Sequence, residues 1–174
     1  MPALAHFGIA LIIKRFTPRI PLWVLLICAM LLDLFSFVFI LAPLWTSHGL
    51  FMALVWTALT MSITYVSIKF IESKEEHDKI IWDLNGLKVS LLIGLLVFSH
   101  WILDLIGWPM TVINPNSTGT PLLFDDAVNF GLGVYSSWFG ALSMDVGVFI
   151  LGLIPYLLYL RKVKKSQAKV MYRN

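Results

Sequence analysis

The chain has 174 residues, of which 59% are hydrophobic and only 13% charged, with a formal net charge of +3. A water-facing domain carries about 25% charged residues. The composition therefore excludes an ordinary soluble enzyme and a disordered polar chain, and it predicts lipid as the solvent for most of the surface. The basic excess of a membrane chain sets orientation before it suggests nucleic acid, so no nucleic-acid partner is expected. Cys28 is the only cysteine and lies in an apolar run. It can form no internal disulfide and reads as a packing residue.

A membrane helix needs about 20 apolar residues, within a range of roughly 17–25. Residues 20–44, 48–71, 87–108 and 138–160 meet that length, and a shorter apolar stretch, 2–16, precedes them. This first stretch lacks a basic lead and a small-residue cleavage site, so it is read not as a signal peptide but as a short helix that either spans with difficulty or lies half-inserted or interfacial; the later spans keep their orientation in each case. Thr17-Pro18-Arg19-Ile20-Pro21 separates it from the second, since proline removes donors and disfavours helix in the residue before it. The expected fold is all-α. It is a single domain over 1–174, a polytopic membrane bundle of about five helices with a long outer loop at 109–137 and a basic tail at 161–174.

The 13 basic residues fall in three groups. Lys14, Arg15 and Arg19 follow the first stretch. Lys69, Lys74, Lys79 and Lys88 lie between the third and fourth. Arg161, Lys162, Lys164, Lys165, Lys169 and Arg173 follow the fifth. Five alternating spans put all of them on one side, which the positive-inside rule makes cytoplasmic. The N-terminus then faces out and the C-terminus in. Trp45, Trp108 and Trp138 mark the outer edge, and Trp23 and Trp82 the inner one, as aromatic belts do. The connection at 72–83, with His77, reads as a solvated loop. The outer loop, with Asp125 and Asp126, reads either as a lid over a buried site or as a plain connector.

Charged side chains in a bilayer cost roughly 2.5–3.5 kcal/mol on insertion scales, so they face the bundle interior and mark function. His6, Asp33, His48, His100, Asp104 and Asp145 all fall in the apolar stretches or at their ends. At about 1.5 Å per residue, all six reach the outer half of the bundle. His100 and Asp104 are spaced i, i+4 and share one helix face. An imidazole and a carboxylate so placed can hold one divalent ion, and mixed N and O donors suit zinc, and also iron, manganese or nickel.

Ala5-His6-Phe7-Gly8, Leu31-Leu32-Asp33, Ser47-His48-Gly49, and Ser99-His100-Trp101-Ile102-Leu103-Asp104 followed by Trp108-Pro109 resemble the YdjM-like family of inner-membrane metal-dependent hydrolases. The likeness runs in order from residue 5 to about 122. More distantly, the order of His and Asp is similar to that of the zinc-dependent phospholipase C and P1 nuclease superfamily. The resemblance implies that Asp33, His48, His100 and Asp104 form one metal site and that His6 joins a second ion bridged by Asp104. Phe35 stands where the family often has a second Asp, and only Ser47-His48-Gly49 remains of a longer His-rich stretch. One or two zinc ions are therefore expected rather than three.

The reading that follows is a metal-dependent hydrolase in a prokaryotic cytoplasmic (inner) membrane, its site facing outside. It would cut a phosphoester of a lipid or lipid-linked substrate. Asp145 or Asp33 would orient the attacking water or act as general base. An ion, proton or metal transporter, and a scaffold with a degenerate site, are the alternatives. A transporter needs polar groups through the inner half, where Thr64, Ser67 and Asn85 are the main ones.

Overall fold

The computed structural model describes residues 4–38, 43–74, 85–124 and 128–171. Among them lie seven helices: α1 (Leu4–Phe16), α2 (Leu22–Ala29), α3 (Leu31–Val38), α4 (Trp45–His48), α5 (Leu50–Lys74), α6 (Gly86–Gly107) and α7 (Trp138–Met171). Between α6 and α7 the chain makes a two-residue antiparallel pairing, β1 (Thr120–Pro121) with β2 (Asn129–Phe130), and a 3-10 turn at Val134–Ser136. His77, Trp82, Lys79, Asp125, Asp126 and Arg173 lie outside the described residues.

Three helices, α5, α6 and α7, are long and apolar enough to cross a membrane. Their surfaces agree with that. Leu54, Ile63 and Val66 of α5, and Leu142, Leu151 and Leu158 of α7, are exposed. In water so large an apolar surface would be costly, whereas facing lipid it costs nothing.

Three expected helices differ in detail. Stretch 20–44 is not one helix: it is interrupted at Met30, whose N–H reaches back only to Ile27 O (3.1 Å). Neither half is long enough to cross a bilayer by itself. Stretch 48–71 begins instead at Leu50. His48 ends the separate short helix α4, and Gly49 is the extended joint between them. The fifth stretch runs on, because the basic segment after Leu160 continues α7 to Met171. Lys and Arg are good helix formers, so charge there does not end the helix.

The main packed pairs are α1 against α7 and α5 against α6. At the first crossing the backbones meet directly. A Cβ built on Gly8 would fall on the Val148 carbonyl, and one on Gly152 would fall on the Gly8 carbonyl. Small residues permit such close approach between membrane helices. The centre of the molecule is α6, which buries a broad face along its whole length and leaves Leu87, Leu91, Leu95 and Ile102 exposed on the other. Leu96 joins Ala10, Leu25 and Ala29 in one apolar cluster, and Val97 and Trp101 join Leu32 and Ala53 in another. Cys28 is half-buried and packs on both, as expected for a packing residue. His100 lies in sequence between the α6 residues that build these clusters.

Candidate metal centre

Four helices build the centre. From α1 comes His6, from α3 Asp33, from α4 His48, and from α6 His100 and Asp104. His48 and His100 are fully buried, His6 and Asp104 nearly so. Asp33 alone of the five retains appreciable exposure, 18% of its side chain.

Four of these side chains converge closely. His48 Nε2 lies 3.2 Å from Asp33 Oδ1 and 3.4 Å from Asp104 Oδ2. His100 Nε2 lies 3.6 Å from Asp33 Oδ1 and 3.4 Å from Asp104 Oδ2. Bonds of about 2.0–2.1 Å to a tetrahedral ion set ligand atoms about 3.3–3.4 Å apart. Four of the six separations among these donor atoms lie close to that value. The fifth residue, His6, approaches the other oxygen of the same carboxylate, with Nε2 3.8 Å from Asp104 Oδ1. Asp104 thus presents one oxygen to His48 and His100 and the other to His6. Two triads have ligand atoms within 4.8 Å of one another: His6, His100 and Asp104, and Asp33, His48 and His100.

Hydrogen bonds aim the rings. His100 Nδ1 lies 2.7 Å from the Ala29 carbonyl. A carbonyl only accepts, so Nδ1 carries the proton, and in the neutral ring Nε2 presents a lone pair to the cluster. Ala29 is the last residue of α2, where helix carbonyls lack intrahelical partners. The interruption at Met30 therefore falls where the imidazole takes up a carbonyl. His48 Nδ1 meets two hydroxyls, Ser47 Oγ at 2.8 Å and Ser36 Oγ at 3.1 Å, themselves 2.7 Å apart. Such outer partners fix ring orientation in metal sites. Ser36 lies one helical turn after Asp33, and that spacing was a usable signal for it.

A buried cation fits this donor set. His100 Nε2 and Asp104 Oδ2 have no hydrogen-bond partner among the described residues. An imidazole lone pair facing two carboxylate oxygens is repulsive unless positive charge lies between them. A divalent ion offsets both carboxylates at once and leaves the imidazoles neutral. The buried His/Asp cluster could hold a metal ion.

Asp145, the sixth candidate, is used differently. Its Oδ1 accepts the backbone N–H of Ala5 at 2.8 Å. It ties the start of α1 to α7, beside His6 in sequence. Ser99 and Ser136 spend their hydroxyls on the Leu96 and Pro109 carbonyls.

The described part of the outer loop packs on α4. Phe124 lies against the rings of Trp45 (5.7 Å) and Phe51 (4.8 Å), and Leu122 packs on the cluster that holds Leu32 and Trp101. The loop also supplies Tyr135, which no sequence motif marked. Its ring packs on Gly107, where a Cβ would overlap it. Its hydroxyl is buried and has no hydrogen-bond partner among the described residues. Burial pushes this phenol well above its usual range, and the Asp145 and Asp104 carboxylates push it the same way. It stays a neutral O–H donor.

No family model, curated protein or solved structure matches the chain.

Proposed function

We propose that the chain is a membrane-embedded, metal-dependent hydrolase that cuts a phosphoester of a lipid or lipid-linked substrate. The observation that carries this reading is the set of four ligand distances of 3.2–3.6 Å joining Asp33, His48, His100 and Asp104. The resemblance of the SHxxxD segment to the YdjM-like hydrolases supports the reaction class. In this reading five helical segments alternate across a prokaryotic cytoplasmic membrane, with α2 and α3 together as the second. The N-terminus and the His/Asp cluster face outside and the C-terminus inside.

His and carboxylate donors at these separations suit zinc. His48, His100, Asp33 and Asp104 would hold the first ion, and His6 with Asp104 Oδ1 would hold a second. When bound, the metal supplies a lowered water pKa and polarises a phosphoryl oxygen. The protein does the rest. Ala29, Ser36 and Ser47 hold the imidazoles in register. Asp33 turns Oδ1 to the cluster and leaves its second oxygen to accept a proton from water. Asp145 positions His6 through α1 rather than taking that proton.

Access favours an amphiphile. Asp33 is the exposed member of the cluster, and its helix neighbours Leu34 and Phe37 are 45% and 82% exposed. A headgroup would reach Asp33 while its apolar chain lies along Leu34 and Phe37.

The test is metal analysis of purified protein together with release of phosphorylated headgroup from labelled phospholipid. Bound zinc in the wild type, lost with activity in His100→Ala, is the expected result. A wild-type protein that carries no transition metal after preparation in zinc-containing buffer overturns the reading.

A further inference from the structure

A cavity of about 510 Å³ opens between the end of α1 and the last part of α7. It is separate from the His/Asp cluster. Arg15 on its rim lies nine residues beyond His6, about 13 Å along the axis of α1. Two cations line it, Arg15 from α1 and Lys162 from α7, together with the hydroxyl-bearing Tyr159 and Ser166 and the apolar Pro155, Leu158 and Val163. Pro155, Leu158, Lys162 and Ser166 recur at helical spacing, so one face of α7 forms the wall. Pro155 sits within the helix, where proline deletes a backbone donor and bends the axis.

The cations are not committed elsewhere. Lys14, next to Arg15, is used up locally, since its Nζ donates to the Pro18 and Ile20 carbonyls at 2.7 and 2.5 Å. Among the described residues neither Arg15 nor Lys162 has a carboxylate partner. Arg15 lies over the Phe16 ring at 5.9 Å, which leaves its planar N–H fork available.

Polarity along the wall is graded. By helical rise, Leu158 lies about 6 Å and Pro155 about 10 Å from Lys162, both toward the middle of α7. Lys162 itself lies roughly 36 Å along α7 from Trp138, beyond the about 30 Å of a hydrocarbon core. Charge at headgroup depth above an apolar wall matches a phospholipid better than a free anion, which would need no apolar wall. Arginine suits phosphate because two parallel N–H groups meet two oxygens.

We propose that this cavity binds the phosphate of an anionic phospholipid in the leaflet opposite the His/Asp cluster, and that the lipid clamps α1 to α7. The proposal rests on the membrane reading of α7 but not on hydrolysis.

The test uses full-length protein in detergent, with lipid binding followed by native mass spectrometry and thermal unfolding. Phosphatidylglycerol is expected to bind and raise Tm, and phosphatidylcholine to do so weakly. Arg15→Gln/Lys162→Gln should weaken phosphatidylglycerol about tenfold or more. Lys164→Gln/Lys165→Gln removes the same charge outside the cavity and should change binding little. An unchanged gel-filtration profile and helical circular dichroism in both double variants show that they fold. Equal losses in the two double variants, equal binding of phosphatidylcholine, or full stabilisation by inorganic phosphate alone would each overturn the proposal. A chain that binds phosphatidylglycerol through Arg15 and Lys162 yet carries no metal would sink the hydrolase reading and leave this one standing.

Discussion

The backbone N–H of Ala5 donates to Asp145 Oδ1 at 2.8 Å, which fastens α1 to α7 one residue before His6. A hydrogen bond to a charged group contributes about 1.5–3 kcal/mol. Asp145→Ala should therefore loosen His6 and lower metal content, while Asp145→Asn, which keeps a carbonyl acceptor, should restore most of it. Metal stoichiometry after gel filtration checks this. Equal loss in both variants would instead assign the carboxylate charge a direct part in the chemistry.

The glycine crossing makes the same link by shape. Gly8 and Gly152 allow carbonyl-to-backbone contact between α1 and α7. Gly152→Ala must push the helices apart, because the atom it meets is backbone and cannot swing away. Overpacking of this kind costs about 1–3 kcal/mol. The variant should unfold at a lower temperature and bind less metal. Gly147→Ala, where the added Cβ meets nothing within 4 Å, should be close to neutral in both measurements.

The two halves of the centre should separate by mutation. His6→Ala removes the contact to Asp104 Oδ1 and the ring contact to His100 but leaves the four closer ligands in place, and should leave one ion per chain. Asp104→Ala removes contacts to His6, His48 and His100 together and should abolish binding. Metal counting by mass spectrometry decides it. If His6→Ala empties the site as completely as Asp104→Ala, the division into a first and a second ion is wrong.

Ser36 and Ser47 both meet His48 Nδ1. Loss of such outer partners costs about 10–100-fold in metal affinity. Each serine can stand in for the other, so Ser47→Ala alone should fall at the low end and Ser36→Ala/Ser47→Ala at the high end. Zinc titration against a chelator of known affinity measures the difference.

Among the described residues, the Tyr135 hydroxyl has no hydrogen bond to lose. Tyr135→Phe should leave Tm unchanged or raise it, because an unsatisfied buried donor is itself a cost. If that hydroxyl meets a substrate oxygen as charge develops, turnover should drop about a hundredfold, as on losing one oxyanion donor. With its pKa held up by burial and two carboxylates, the phenol stays protonated through neutral pH. The pH profile of the wild type should then gain no limb from it.

Much of this protein was legible in its sequence. Lipid tolerates few charges, so the long apolar runs read as helices, and α6 lies within one residue of its expected bounds at both ends. The same cost made His6, Asp33, His48, His100 and Asp104 conspicuous before any contact was known, and the i, i+4 spacing of His100 and Asp104 placed them on one face. What the tertiary structure alone decided concerns the backbone. The interruption at Met30 carries no proline or glycine to announce it, yet it accompanies the Ala29 carbonyl's bond to His100. Asp145 looked like one more buried acid, and only the α1–α7 crossing shows its oxygen on the Ala5 N–H. Tyr135 lies in a loop without periodicity, 31 positions beyond Asp104 in the chain. A carbonyl or an amide has no residue type of its own, so its use by a distant side chain leaves no trace in composition or spacing. It is settled only when the helices pack.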